Sequence, residues 1–268
     1  MNEELDLLVD AVLKSSKYRN VCVDLIRNIG RRELSKSRNL REAVKATKNK
    51  LHQIGGAYFL TEPRYDLWLG KLRQASERGN EEFRKACAEI MGCHQSTKER
   101  LGVLDEFYET IFSILPPVHS VIDIACGLHP LSIPWMPFSS RVEYYASDVY
   151  VDLIEFLNRY FSLVDVEGCA EVRDVVQNPP EVKADLAFVL NTVPCLEQIE
   201  KSAGLKVLES TDADYLVVSF PVRSLCGRKK GMREFYEGEF IRFAQEKEWS
   251  FQQLELGTEL VFVVRKHS

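Results

Sequence analysis

Three aspartates and one glycine give this 268-residue sequence its clearest chemical pattern. Asp123 lies inside a short apolar run, Val121, Ile122, Ile124 and Ala125, which stops at Cys126-Gly127; Asp148 follows 21 residues after that glycine, and Asp174 closes a third apolar run. A glycine at a strand end lets the backbone approach a ligand, and a carboxylate at the end of the next strand can accept both hydroxyls of a ribose. Taken singly, Asp148 and Asp174 read equally well as capping or turn carboxylates. Their succession at strand ends favours a ligand that carries a nucleoside. Asp123, within its strand, needs a hydrogen-bonding partner, either a ligand or a neighbouring loop. A dinucleotide fingerprint would need G-x-G-x-x-G, whereas Gly127 is followed by Leu128, His129 and Pro130, so nicotinamide is the weaker choice. The seven cysteines are an odd number, scattered and without a C-x-x-C pair, which fits reduced cytosolic thiols and argues against a zinc site.

The elements that must position these residues follow from hydrophobic period. Before residue 118 the pattern is helical: Leu7, Leu8, Val12 and Leu13 recur at helical spacing, Arg41 to Leu51 reads as a helix ended by Gly55-Gly56, and Pro63 precedes one or two more over Tyr65 to Cys87. A helix from Leu101 to Leu115 is stopped by Pro116-Pro117. Strands and helices then alternate, with strands at Ser120–Ala125, Val142–Ser147, Ala170–Arg173, Ala184–Leu190 and Tyr215–Phe220, and helices at Val151–Ser162, Leu196–Glu209 and Glu234–Lys247. Two last strands, Ser250–Leu256 and Thr258–Lys266, flank Gly257 as an antiparallel hairpin. Repeated β-α units with a closing hairpin predict an α/β fold, a Rossmann-like doubly wound sheet with an antiparallel edge, preceded by an all-helical N-terminal domain. That is the class I methyltransferase architecture.

No apolar run is long enough to span a membrane and the N-terminus is acidic, so the expectation is a cytoplasmic protein without membrane contact. The net charge of −5 argues against a general nucleic-acid binder, but residues 1–100 carry 20 Lys and Arg against 14 Asp and Glu, while the remainder carries 15 against 26. Lys14 to Lys50 holds twelve basic residues and three acids, and Phe220 to Arg233 holds five and none. Each window alone reads equally well as a solvated face; together they suggest a local polyanion footprint.

Four segments carry a specific resemblance: H-Q-S-T-K-E-R-L at His94 to Leu101, D-I-A-C-G-L-H-P-L at Asp123 to Leu131, P-C-L-E at Pro194 to Glu197, and V-S-F-P-V-R-S-L-C-G-R-K-K-G-M at Val218 to Met232. Weaker matches at Lys17-Tyr18-Arg19, Leu51 to Tyr58 and Gly257 to Leu260 extend it over nearly the whole chain. The sequence resembles the aminoglycoside-resistance methyltransferases that modify N7 of guanine 1405 in 16S ribosomal RNA. That resemblance implies S-adenosyl-L-methionine as cofactor, no metal, a monomer, and a substrate presented by the assembled 30S subunit. It also implies a helical rRNA-docking domain over residues 1–93, a methyltransferase domain over 94–268, and resistance to 4,6-disubstituted deoxystreptamine aminoglycosides.

Carried over residue by residue, the resemblance implies that Arg100 reaches the methionine carboxylate, with His94 and Ser96 beside it. Ala125 and Gly127 would touch the methionyl and ribose portions, Asp148 the ribose hydroxyls, and Asp174 with Val175 the adenine; Thr192 would close the pocket. Lys17, Arg19, Lys48, Lys50 and His52, with Arg223, Lys229 and Lys230 of the second basic window, would grip RNA. Arg228, Met232 and Asn191 would lie beside the target nucleotide. Two positions depart from the family pattern: His129 stands where asparagine is usual, and Asn191 where lysine is usual. Guanine N7 carries a lone pair and no proton, so the transfer needs no general base. The rival readings are a non-catalytic rRNA-binding or assembly protein and a methyltransferase for another RNA or a small molecule.

Overall fold

The computed structural model describes residues 2–56, 58–138, 141–164, 166–222 and 232–266. Three amphipathic helices open the chain: α1 (Asn2–Leu13), α2 (Val23–Leu34) and α3 (Leu40–Leu51). Asn39 caps α3, its side chain accepting from the Glu42 amide. The three close on a core of their own that includes Leu8, Val12, Leu25, Ile26, Ile29, Ala43 and Leu51. A single π-helical turn, His52–Gly56, follows α3. Next come α4 (Tyr65–Ser76), α5 (Asn80–Met91), the short α6 (Gln95–Arg100) and α7 (Leu104–Ile114).

The sheet follows as β1 (Ser120–Ile124), β2 (Glu143–Asp148), β3 (Glu167–Val172), β4 (Ala184–Leu190), β5 (Ala213–Pro221), β6 (Ser250–Leu256) and β7 (Glu259–Arg265). Between them lie α8 (Val151–Leu163), α9 (Val193–Ile199), α10 (Ala203–Ser210) and α11 (Met232–Glu246). The strand order is β3-β2-β1-β4-β5-β7-β6, parallel throughout except that β7 runs antiparallel to both β5 and β6. Gly257 turns the hairpin at φ +60°, a conformation open to glycine. The doubly wound sheet with its antiparallel edge is therefore present as the alternation of elements predicts.

One face of the sheet is covered by α4, α5, α7 and α8, whose Leu72, Phe83, Phe107 and Leu157 share a core with Val121 and Tyr144. The other face packs on α9, α10 and α11 through residues such as Val207 and Phe240. In packing, α4 and α5 belong with the sheet and only α1–α3 have a separate core. The single helix expected over Leu196–Glu209 is two helices, α9 and α10. Ser202 between them takes φ +64°, and the Glu197 carboxylate accepts from the amides of Ser202 (2.7 Å) and Gly204 (3.1 Å). Those are donors that the first turn of a helix leaves unpaired. No helix of the described residues is long and apolar enough to cross a membrane.

Candidate active site and nucleic-acid interface

The strand order reverses between β1 and β4, and their carboxyl ends open into a cavity. In an open parallel sheet this crevice is where ligands bind. All nine residues expected to hold a cofactor line it, and so does Asn191. Three backbone positions at these strand ends are left-handed: Ala125 at φ +51°, Gly127 at +52° and Asn191 at +55°. A non-glycine residue is held there against a local cost, which recurs at functional sites. Gly127 has a second reason to lack a side chain, because a Cβ would stand 2.8 Å from Cε1 of His94.

Asp148, the last residue of β2, accepts from the Gly127 amide at 2.9 Å and the Val149 amide at 2.7 Å. Burial pushes its carboxyl above the usual range, and these backbone donors hold it back. Asp174 accepts from the Val176 amide at 3.1 Å and from Asn28 Nδ2 at 3.0 Å. Its carboxyl is also raised by burial, with Asn28 opposing. Val175 lies buried beside it. Thr192 Oγ1 donates to the carbonyls of Leu190 (3.1 Å) and Ile124 (3.3 Å), tying the ends of β4 and β1 together at the cavity wall.

Arg100 is buried and forms a bidentate pair with Glu259 at the start of β7, Nε to Oε1 and Nη2 to Oε2, each at 3.0 Å. Burial alone would disfavour its charge; Glu259, with Tyr108 and Asp123, outweighs burial and keeps the guanidinium ionised. The Nε edge of its fork is thus taken by the protein's own carboxylate, and the Nη1 edge is what a ligand carboxylate could meet. Ser96 lies in the same wall. His94 stacks on Tyr58 with ring centroids 5.6 Å apart. Burial, helped by Arg100, lowers its pKa to about 4, so it is neutral at physiological pH. Its Nδ1 has no partner, and neither has Oδ1 of Asn191. Buried polar atoms are almost always hydrogen-bonded, so two orphans in one cavity mark positions for polar ligand atoms. Asp123 is an internal support: its Oδ2 accepts from Tyr144 Oη and His129 Nδ1, both at 2.8 Å. His129 in turn meets Tyr108 Oη at 2.8 Å through Nε2, so histidine at this position is fully engaged in the interior. Among the described residues, no group of three or more His, Cys, Asp or Glu could hold a metal ion.

Of the residues expected to grip RNA, Lys17 and His52 are brought together, Lys17 Nζ donating to His52 Nδ1 at 2.9 Å on the surface. Tyr18 Oη reaches the carbonyl of Lys48 at 3.0 Å, and Arg19 is exposed beside them. Lys50 faces a second cleft shared with Arg32, Glu33, Lys36, Glu200 and Lys201. Arg223, Arg228, Lys229 and Lys230 lie outside the described residues, and Met232 enters only as the first residue of α11.

Residues 14–263 match the family described as ribosomal RNA methyltransferase (FmrO). The chain belongs to this family. A relative from Micromonospora rosea named 16S rRNA (guanine(1405)-N(7))-methyltransferase is 36% identical over 99% of this chain and 98% of its own length. One of the same name from Frankia casuarinae is 37% identical, covering 98% and 94%. The solved structure of the 16S rRNA methyltransferase RmtF in complex with S-adenosyl-L-homocysteine superposes with a TM-score of 0.83, at 29% identity over the full length of both chains. The fold of this rRNA methyltransferase is the class I S-adenosylmethionine-dependent one. Among the contributors to the cavity that reading its sequence missed are Glu259 behind Arg100, Asn28 behind Asp174, and the wall made by Leu25, Ile54 and Tyr58. Glu259, in the weakly matching G-T-E-L segment, and Ile54 and Tyr58, in the weakly matching segment from Leu51, left a trace; Asn28 and Leu25 left none.

Proposed function

We propose that this methyltransferase transfers the methyl group of S-adenosyl-L-methionine to N7 of guanine 1405 of 16S rRNA within the 30S subunit. The observation that carries the reading is the chemistry of the cavity at the β1–β4 reversal. It offers carboxylates at successive strand ends, an ionised guanidinium and two unpartnered polar atoms; of its two histidines, His94 has its pKa lowered to about 4 and His129 is bonded to Asp123 and Tyr108. That is a site for binding and orienting a cofactor, in which the carboxylates are held by backbone and side-chain donors. Likeness along the whole chain to relatives named for guanine 1405 supports the choice of target.

The residues present fit the cofactor. Gly127 leaves the close approach open, and Asp148 and Asp174 keep acceptor capacity for ribose hydroxyls and adenine. The free edge of Arg100 suits the methionine carboxylate, and the His94 orphan lies against the same loop. When bound, S-adenosyl-L-methionine supplies a methyl carbon that guanine N7 can attack directly, since N7 carries no proton. The protein's part is to orient the base and exclude water. Arg228, Met232 and Asn191 are assigned to the base, with Asn191 presenting a neutral carboxamide. Lys17, Arg19, Lys48, Lys50 and His52, with Arg223, Lys229 and Lys230, are assigned to rRNA phosphates, which give affinity more than base choice. Docking falls chiefly on α1–α3 within residues 1–93, and catalysis on residues 94–268, in a monomer working in the cytoplasm. Methylation removes N7 as an acceptor and adds a positive charge, which weakens 4,6-disubstituted deoxystreptamine aminoglycosides that use that edge.

The test is incubation of the purified chain with 30S subunits and methyl-labelled S-adenosyl-L-methionine, followed by strand cleavage at N7-methylguanine. Label at one guanine, position 1405, is expected. No incorporation while S-adenosyl-L-homocysteine still binds would sink the assignment.

A further inference from the structure

We infer that Asn28, on the N-terminal helix α2, is a positioning residue for the adenine end of the cavity, and that through it cofactor and rRNA strengthen each other's binding. The inference rests on the function proposed above and adds a property that a cofactor pocket built from one unit would lack.

The cavity is not walled by the sheet and its loops alone. Leu25 of α2 lines it, and so do Ile54 and Gly55 of the π-helical turn. Asn28, one turn after Leu25, is buried, and its Nδ2 donates at 3.0 Å to Asp174 Oδ2 across 146 residues of sequence. The segment before α2 is fastened to the loop after Asp148. Cys22 N donates to the Val149 carbonyl at 2.7 Å, Val151 N to the Asn20 carbonyl at 2.8 Å, and Asn20 Nδ2 to Asp152 at 2.8 Å. Both acids assigned to the nucleoside are thus secured by the helical unit, Asp174 directly and Asp148 through its neighbours.

The same two segments carry the basic docking residues. Lys17 and Arg19 precede α2, and His52 opens the π-helical turn that reaches the cavity at Ile54. The helical unit has its own core, separate from the two cores of the sheet. It meets the sheet unit through a few hydrogen bonds, the ion pair of Arg32 with Glu200, apolar contact with Val149, Tyr150 and Ile199, and the cavity itself. A ligand lying between two separately cored units touches both, so its binding energy also closes their interface. An RNA that grips both units closes the same interface. Two ligands that favour one arrangement must favour each other, by equal factors in either direction.

The experiment measures binding of 30S subunits to the full chain with and without saturating S-adenosyl-L-homocysteine, and binding of S-adenosyl-L-homocysteine with and without subunits. The expected result is a tightening of roughly fivefold or more, equal in the two directions, that falls to near one in Asn28→Ala. A residue that merely held the fold would lower both affinities and leave the ratio intact, and that outcome would overturn the role of Asn28. Asn28→Ser, which keeps a small polar side chain, decides the same point if the alanine variant does not fold. A ratio of one in the unaltered chain, with both ligands bound and methyl transferred, overturns the coupling and leaves the methyltransferase assignment standing. Absence of any subunit binding overturns both.

Discussion

At the scale of residues, the site is governed by buried groups that satisfy one another. Arg100 and Glu259 are each almost wholly enclosed, and removing one member of such a pair strands a charge, at a cost of about 3–5 kcal/mol. Glu259→Ala is therefore expected to lower unfolding free energy by that order and to raise the KM for S-adenosyl-L-methionine more than it lowers kcat. Replacing both partners together, as Arg100→Met with Glu259→Leu, should cost less stability than either alanine substitution; chemical denaturation of the three variants checks the ordering. His94 provides a pH dependence. Its folded pKa, about 4, lies below its ordinary value of 6.5. The unfolded chain therefore takes up a proton that the native state refuses, and stability falls as pH drops through that window by up to about 1.4 kcal/mol per unit. Denaturation from pH 7 to 4 should show a shallower decline in His94→Asn; superimposable profiles would refute the argument. The sequence displayed Asp148, Asp174 and Gly127 because strand ends are local and periodic. Glu259 and Asn28 have partners 159 and 146 residues away, and no short-range pattern encodes such meetings.

At the scale of elements, boundaries followed hydrophobic period where one face is buried and failed where a side chain from elsewhere intervened. The strand Ala184–Leu190 is as the sequence reads. Strand β3 begins at Glu167, earlier than its apolar residues suggest, because it pairs with β2 from Glu143 onward and Gly168 admits the close approach. A Cβ at Gly168 would stand 2.3 Å from the Tyr144 carbonyl oxygen, at φ +112°. Gly168→Ala should destabilise this edge by about 1–3 kcal/mol. Gly238→Ala, in α11 with nothing within 4 Å of the added carbon, should stabilise by about 0.5–1 kcal/mol. Thermal melts of the two would move in opposite directions.

At the scale of the whole molecule, the charge division read from the sequence corresponds to a physical one: the basic window from Lys14 to Lys50 lies almost entirely within the unit that has its own core. Lys50→Glu is expected to weaken 30S binding, to reduce the salt dependence of that binding by roughly one to two phosphate contacts, and to leave S-adenosyl-L-homocysteine affinity in the absence of subunits unchanged; fluorescence titration at several salt concentrations reads all three. The partnership of this unit with the cavity was not legible, because it depends on the surface that α2 and the π-helical turn create only after folding. The left-handed backbone at Ala125 has a consequence for how the enzyme would change under selection. An L-residue there stores about 1–2 kcal/mol, and glycine would release it at the expense of about 0.4–1 kcal/mol of chain freedom in the unfolded state. A library screened only for survival of heating would drift toward glycine at 125 and loosen the loop that lines the cavity. One screened for turnover would keep alanine, so the two kinds of evolution part company at a single codon.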